Sequence, residues 1–309
     1  MLSCCGIPAH WAGEDALFAK TMDGFRSEIK RMGQPTVITA CSSCLSVFKE
    51  FASEIEATSL WQVLDTLELP VQPDLLPRQS LTLHDPCTAR HQDGLRASVR
   101  NLCRKLGLNI IEHNFNGTIT DCCGYGGLMQ FANPQLGAKA AVVKAQRSEL
   151  DGLAYCAMCR DNLAAAGNRV AHLLDYIFPV FDAMEPLDRK NPGFSRRHEN
   201  RSRLKQELLT TLWQEESVMA PPHRDIRLIL TQEVQDLLGS RHILEEDVQK
   251  VIHHANCTGK YLVNPDNGRW LASYKPVRVT YWVEFEPIDQ GYVVHNGYSH
   301  RMLLPEEKP

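Results

Sequence analysis

The sequence predicts an α/β protein: two tandem, duplicated cysteine-rich domains with small parallel sheets, followed by a small C-terminal α+β domain. Three observations carry this reading. The stretch Asp121-Cys122-Cys123-Gly124-Tyr125-Gly126-Gly127 has a counterpart near the start, Cys4-Cys5-Gly6. Each copy is followed by a Cys-x-x-Cys, with Cys41 and Cys44 after the first and Cys156 and Cys159 after the second. The paired cysteines lie 118 residues apart and the Cys-x-x-Cys motifs 115 apart, which is the period of a duplicated domain rather than of a solenoid.

The first domain spans 1–72. A helix is expected from Gly13 to Met32, with Ala16, Leu17, Met22 and Phe25 among its apolar positions and Gly33 and Pro35 ending it. Thr36 to Ala40 is a short β-branched run, so a buried strand. Cys41 stands at its end. Cys44 falls in the first turn of the next helix, which runs through Phe48 and Phe51. Strand end and helix start can therefore bring two thiols together, and the helix dipole favours thiolate there. Leu69 to Pro73 reads as a linker.

The second domain, 73–185, repeats the plan with its beginning intact. Ser80 to His84 is a strand leading into Asp85-Pro86-Cys87. A helix from Leu95 to Leu106 and a strand from Asn109 to Glu112 follow. After the paired cysteines come a helix from Leu136 to Glu149, a strand from Gly152 to Tyr155, and a helix opened by Cys156. Leu173 to Phe181 reads as a short buried helix. Strands alternating with helices predict parallel sheets with ligands at the strands' C-terminal ends.

Residues 186–205 are rich in Arg and Lys among Pro, Asn and Ser, and read as a basic linker; a docking strip for an acidic partner is the sharper alternative. The last domain, 206–309, is expected to hold helices at Lys205–Glu216, at Asp225–Leu238 and from Leu244 onward. Val277, Val279, Tyr281, Val283 and Phe285 alternate with polar or larger residues as a half-buried strand does. A turn from Ile288 to Gly291 leads to a partner strand, Tyr292 to His300.

The chain has 309 residues and a formal charge of −4, which argues against general nucleic-acid binding. No apolar run approaches the ~18 residues of a membrane span. No basic, apolar, cleavable leader is visible, so a cytoplasmic protein is expected. Eleven cysteines are the anomaly in composition. Without a leader, and with vicinal and Cys-x-x-Cys spacings, they point to metal or redox chemistry rather than a disulfide scaffold.

Adjacent cysteines pair badly as a disulfide, and two neighbouring thiolates repel unless a cation lies between them. They read as ligands of one metal centre. Glycines 124, 126 and 127 would let the backbone approach and turn N–H groups toward a negative cluster. The second set is Cys87, Cys122, Cys123, Cys156 and Cys159, and the first is Cys4, Cys5, Cys41 and Cys44. Five thiolates exceed the four that structural zinc or a cubane iron–sulfur cluster takes. His84 and His91 flank Cys87 and are candidates for tuning the centre or donating a proton, or for capping local turns. Arg90 and Arg147 are candidates for offsetting its charge, with solvated arginines as the plain reading. Trp11 and Tyr125 read as shields against water. Cys103 reads as an inert buried thiol. Cys257 with His253, His254, His295 or His300 fits no familiar zinc spacing.

One Cys, then Cys-Cys-Gly, then Cys-x-x-Cys, with 34 residues between Cys87 and Cys122 and 32 between Cys123 and Cys156, resembles the cysteine-rich CCG domain. That family includes the CCG-bearing subunit of heterodisulfide reductase and subunits of succinate, glycolate and lactate oxidation. Asp85-Pro86-Cys87 with Arg90, and the Cys-Cys-Gly-x-Gly-Gly run, match as well, and the resemblance covers about residues 1–180. It implies an iron–sulfur oxidoreductase subunit. All nine cysteines would ligate one or two 4Fe–4S clusters of noncubane type, and the five of the second set would carry the catalytic chemistry of disulfide cleavage. In the first set no cysteine stands upstream of Cys4, because the sequence starts at Met1; a truncated five-cysteine site is expected, with a degenerate site or zinc as the alternative. No dinucleotide or flavin fingerprint is visible, so a flavoprotein or ferredoxin-like donor subunit is implied. An oxygen-free setting follows from the same resemblance. Two other readings stay open: an electron relay within a dehydrogenase complex, and a zinc-stabilised interaction scaffold.

Overall fold

The computed structural model describes residues 4–70, 79–179, 185–214 and 221–302. The chain divides into two compact units, Met1–Asn191 and Pro192–Pro309. The expected linker residues 71–73, and the ends of the helices expected to reach Phe181 and Glu216, lie outside the described residues.

In the first half of unit 1, α1 (Ile7–Trp11) starts directly after Gly6, with Pro8 in its first turn where a missing N–H costs nothing. This short helix was not expected. α2 (Asp15–Arg31) is the anticipated amphipathic helix and buries Phe18, Met22 and Ile29. β1 (Val37–Thr39) and α3 (Ser42–Phe51) follow, with Cys41 at the N-cap of α3. β2 (Ala57–Ser59) then pairs parallel to β1, Val37 opposite Ala57. Ser59 caps α4 (Leu60–Asp65) by accepting the Trp61 N–H. Neither β2 nor α4 was expected, because Ala57-Thr58-Ser59 is too short and too polar to show a strand pattern.

The second half runs β3 (Leu81–His84), α5 (Asp93–Leu106), β4 (Ile110–Ile111), α6 (Met129–Ala132), α7 (Pro134–Ala145), β5 (Gly152–Ala154), α8 (Ala157–Ala165), β6 (Val170–His172) and α9 (Leu173–Ile177). Its four strands are all parallel, in the order β4-β3-β5-β6. The helix expected over 136–149 begins earlier and stops at Ala145, since the Asn133 side chain accepts the Leu136 N–H and sets its start.

Leu81, Leu83, Leu153 and Ala171 of this sheet pack on Leu95, Val99, Leu102 and Leu106 of α5. Leu45, Trp61 and Leu64 of the first half enter the same cluster. The two halves of unit 1 thus share a core. Trp61, 1 % exposed, meets Tyr155 edge-on with ring centroids 5.7 Å apart.

In unit 2 the stretch read as a linker is largely helical: α10 (Gly193–Glu207) covers its second part. The helix expected at Lys205–Glu216 is therefore the end of α10, continued by one wide turn over Leu208–Leu212. β7 (Leu228–Ile229) stands where a helix from Asp225 was expected, and α11 (Gln232–Ser240) starts only after the Thr231 side chain accepts the Val234 N–H. α12 (Glu245–Thr258) begins as expected, with three acids in its first turn. β8 (Leu262–Val263), β9 (Trp270–Tyr274), β10 (Thr280–Ile288) and β11 (Gly291–His300) complete a five-stranded sheet of order β7-β11-β10-β9-β8. Val283, Phe285 and Val294 pack against Val234, Leu238, Val248, Val251 and Ile252. Val277, expected to open β10 on its buried face, is 81 % exposed, because the strand starts only at Thr280.

Because Trp61 joins both halves, Trp61→Ala is expected to destabilise unit 1 by roughly 3–5 kcal/mol. Urea unfolding would show this as a lower midpoint for probes in either half.

Candidate metal centre

Parallel strands deliver their C-terminal ends to one edge, and that edge is where the cysteines lie. Cys41 follows β1, Cys87 follows β3, and Cys156 follows β5 and caps α8. Cys122 and Cys123 sit in the loop between β4 and α6. None of the eleven cysteines forms a disulfide.

The two halves repeat one contact. Cys5 Sγ lies 3.3 Å from Cys44 Sγ, and Cys123 Sγ lies 3.3 Å from Cys159 Sγ. In each case the second cysteine of the pair meets the second cysteine of the Cys-x-x-Cys. The glycines that follow the pairs also repeat, with Gly6 and Gly124 both at φ 82°. Gly124 is required by packing as well, since a Cβ there would stand 2.1 Å from the Gly137 carbonyl oxygen. Its N–H donates to Cys122 Sγ at 3.3 Å. Gly127 also has a positive φ, of 63°.

Thiols this close cannot all ionise, and hydrogen bonding among them lowers some and raises others. Thiol donors Cys123 and Cys87 hold Cys122 low, at about 2, while hydrogen bonding to Cys122 pushes Cys87 up. Cys123 is raised to about 11 by Cys122. Cys159 is raised by its contacts to Cys123 and Cys156, and Cys156 is lowered in turn. In the first set Cys4 and then Cys44 lower Cys5 to about 3, and Cys44 lowers Cys41 to about 6. Each set is therefore one connected string of sulfurs. The strings approach one another: the charge of Cys41 works against ionisation of Cys156. Ser42 Oγ lies 2.6 Å from Thr88 Oγ1, and Gln92 Nε2 donates to Ser46 Oγ, to the Thr88 carbonyl and to the Ser42 carbonyl at 2.8, 3.0 and 3.2 Å. Residues next to Cys41 and Cys87 are thus sewn together.

Behind the second set stands a buried polar frame that sequence reasoning missed, apart from its arginines. Asp85, fully buried, accepts from Arg100 Nη2 at 2.8 Å, Arg100 Nη1 at 3.1 Å, the Tyr155 hydroxyl at 2.6 Å and the Gly117 N–H at 2.8 Å. Burial opposes its charge, but these donors hold the carboxyl below its usual range. Asn116 ties the loop to β3, donating to the Leu83 carbonyl and accepting from the Asp85 N–H. Lys144, also fully buried, donates to the Asp85 carbonyl, the Asp121 carbonyl and Thr120 Oγ1. Arg90 donates to the Thr120 carbonyl at 2.8 Å. Arg147 pairs with Asp121 at 2.6 Å and lies over the Phe115 ring. Both arginines are thus engaged at the cysteine loop rather than merely solvated. The sequence signals for the frame were Asp85 beside Cys87 and the arginines 90 and 147; Lys144 looks like any helical lysine.

His84 is buried, its ring centroid 5.4 Å from that of His113, and none of the four ring nitrogens has a hydrogen-bond partner. It caps no turn. His91 is exposed. Trp11 and Tyr125 pack half-buried against the first and second sets, as shields should. Cys103 is buried and pushed up to about 12 by burial, as an inert thiol would be. Cys257 Sγ lies 3.7 Å from His253 Nε2, but His254 stacks on Tyr274 and His300 Nε2 accepts from Trp282 Nε1. Among the described residues no three Cys, His, Asp or Glu side chains gather closely enough about one point to hold a single metal ion. A string of thiols, buried at its back and flanked by fixed positive charge, is a donor set that suits a metal or iron–sulfur centre.

Fold and thiols together define a duplicated α/β module suited to metal or iron–sulfur binding. Residues 1–49 and 81–161 match the model of the CCG family of cysteine-rich domains. No curated protein and no solved structure gave a significant match to the chain. No helix among the described residues is long and apolar enough to cross a membrane.

Two measurements check this site. Asp85→Ala removes the buried acceptor shared by Arg100, Tyr155 and the Gly117 N–H, though Arg100 keeps Glu112, and is expected to cost roughly 2–4 kcal/mol in urea unfolding. Burial, with the Lys144 charge behind it, pushes His84 down to about 3. An unfolded imidazole takes its proton near ~6.5, so the unfolded chain binds more protons between that pH and about 3. Stability should then fall on acidification through this window, by up to about 1.4 kcal/mol per pH unit for this group. His84→Leu should flatten the slope of urea midpoint against pH.

Proposed function

We propose that the chain is an iron–sulfur oxidoreductase subunit, similar to the CCG-bearing subunit of heterodisulfide reductase, which cleaves a disulfide into two thiols. The observation that carries the reading is the repeated 3.3 Å sulfur contact in two adjoining sets. One set would serve a scaffold; two sets within electrostatic reach, as Cys41 and Cys156 are, suit the passage of two electrons. Cys87, Cys122, Cys123, Cys156 and Cys159 would hold one noncubane 4Fe–4S cluster, and Cys4, Cys5, Cys41 and Cys44 a second centre. Such a cluster supplies single electrons and an iron that takes the charge developing on a leaving thiolate.

The chain's own residues divide the remaining work. Cys123 and Cys159 are buried and form the back of the second set, while Cys87, Cys122 and Cys156 are half-buried and form the edge a substrate could reach. Gly124 N–H, Arg90 and Arg147 hold the cysteine loop in one conformation. The disulfide takes up two electrons and two protons and leaves as two thiols. The electrons come from a flavoprotein or ferredoxin-like partner, and a reducing, oxygen-free cytoplasm suits exposed thiols such as Cys4 and Cys41. An electron relay without its own substrate is the second reading, favoured by how deeply Cys123 and Cys159 are buried.

Iron, sulfide and zinc content of protein purified without oxygen tests the proposal, with an EPR spectrum of the oxidised sample. About four irons with matching sulfide for the five-cysteine set, and a signal that changes on adding thiol, are expected. A signal indifferent to thiol would favour the relay. Zinc without iron would overturn both.

A further inference from the structure

Lys144 is the least expected charge in unit 1. It lies on α7, fully buried, with no aqueous surface to solvate its ammonium. Its three N–H donors are all used: 2.6 Å to the Asp85 carbonyl, 2.8 Å to the Asp121 carbonyl and 3.1 Å to Thr120 Oγ1. All three acceptors are neutral. The carboxylates of the same two turns are taken elsewhere, Asp85 by Arg100 and Asp121 by Arg147. Burying a charge against neutral acceptors alone is costly, so an anion nearby is what such an arrangement calls for. The two carbonyls it grips belong to the turns that carry Cys87 and Cys122.

The first half offers an internal comparison. The residue 118 positions earlier, at the offset of the paired cysteines, is Arg26 on α2, and the residue 115 positions earlier, at the offset of the Cys-x-x-Cys motifs, is the apolar Ile29 of the same helix. Arg26 is half-exposed, pairs with Glu54 at 2.7 Å and donates to the Phe51 carbonyl at 2.6 Å. The first half thus has no buried cation left over for its thiols at the matching position.

We infer that Lys144 is the built-in counter-charge of the second cysteine set, a positioning residue that clamps the Cys87 and Cys122 turns together and sets the charge the bound centre can carry. The consequence is an asymmetry between the two sets: the one facing Lys144 is the easier to reduce. This rests on the iron–sulfur reading above.

The test compares wild type, Lys144→Met and Lys144→Arg, each purified without oxygen and reconstituted with iron and sulfide. Circular dichroism before loading reports the fold, iron per chain reports occupancy, and a redox titration followed by EPR reports the midpoint potential. Loaded Lys144→Met is expected to have a more negative midpoint than wild type, because reduction adds negative charge no longer offset, while Lys144→Arg stays near wild type. Folded Lys144→Met that takes up no iron, beside Lys144→Arg that does, also supports a counter-charge. A loaded Lys144→Met with an unmoved midpoint overturns the inference. So do both variants folded yet empty, which would mark a packing role, and so does a Lys144→Met that unfolds before iron is added. Wild type without iron overturns the inference and the proposed function together; every other negative result leaves the proposed function standing.

Discussion

Two sulfurs at 3.3 Å are in contact, and contact between groups that ionise is a constraint on everything around them. If both lost their protons, the repulsion would spread the loop and the helix that bring them together. The protein has two remedies on view. Within each set the thiols share protons, so that Cys122 sits low between Cys87 and Cys123. Around the second set, positive charge is fixed by geometry, on Lys144 in the interior and on Arg90 and Arg147 nearer the surface. A bound cluster would be the third remedy, and the first two leave room for it.

The polar frame is strict because it is buried. Asp85 works through both its groups: the carboxylate takes Arg100, Tyr155 and Gly117, and the carbonyl takes Thr120 and Lys144. Burial and the Asp85 charge both push the Tyr155 hydroxyl up, so Tyr155 stays a donor. Tyr155 precedes Cys156 and packs on Trp61. A single network thus joins the turn of Cys87, the loop of Cys122, the strand before Cys156 and the helix of the first half. That continuity is why the two halves are read as one functional body rather than two metal sites on a string.

The site was more legible than its support. Vicinal cysteines and Cys-x-x-Cys are rare enough to stand out in a bare sequence, and the alternation of strand and helix placed them at strand ends. Elements of ordinary length, such as α2 and α5, were visible because their apolar faces repeat. Among the strands of two or three residues, β1, β4 and β5 showed through their apolar or β-branched runs, but β2, β6 and β7 did not, since a strand that short has no period to detect; parallel neighbours specify it. The basic run that leads into and opens unit 2 misled for a related reason. A helix with few apolar residues, like α10, looks like a solvated linker until its partners are known.

The order of residues alone says which atoms are available: nine cysteines in two ordered sets, the glycine after each pair, and an Asp just ahead of Cys87. These are local facts, carried by spacing along the chain. Folding selects which of them meet, and what surrounds them. That Cys123 touches Cys159 across 36 residues, that Trp61 fills the core of the other half, and that Lys144 is buried at all depend on where strands from distant segments line up. The charge around a thiol is a property of three-dimensional neighbours, and a lysine at an unremarkable position in a helix becomes decisive only when folding takes it away from water.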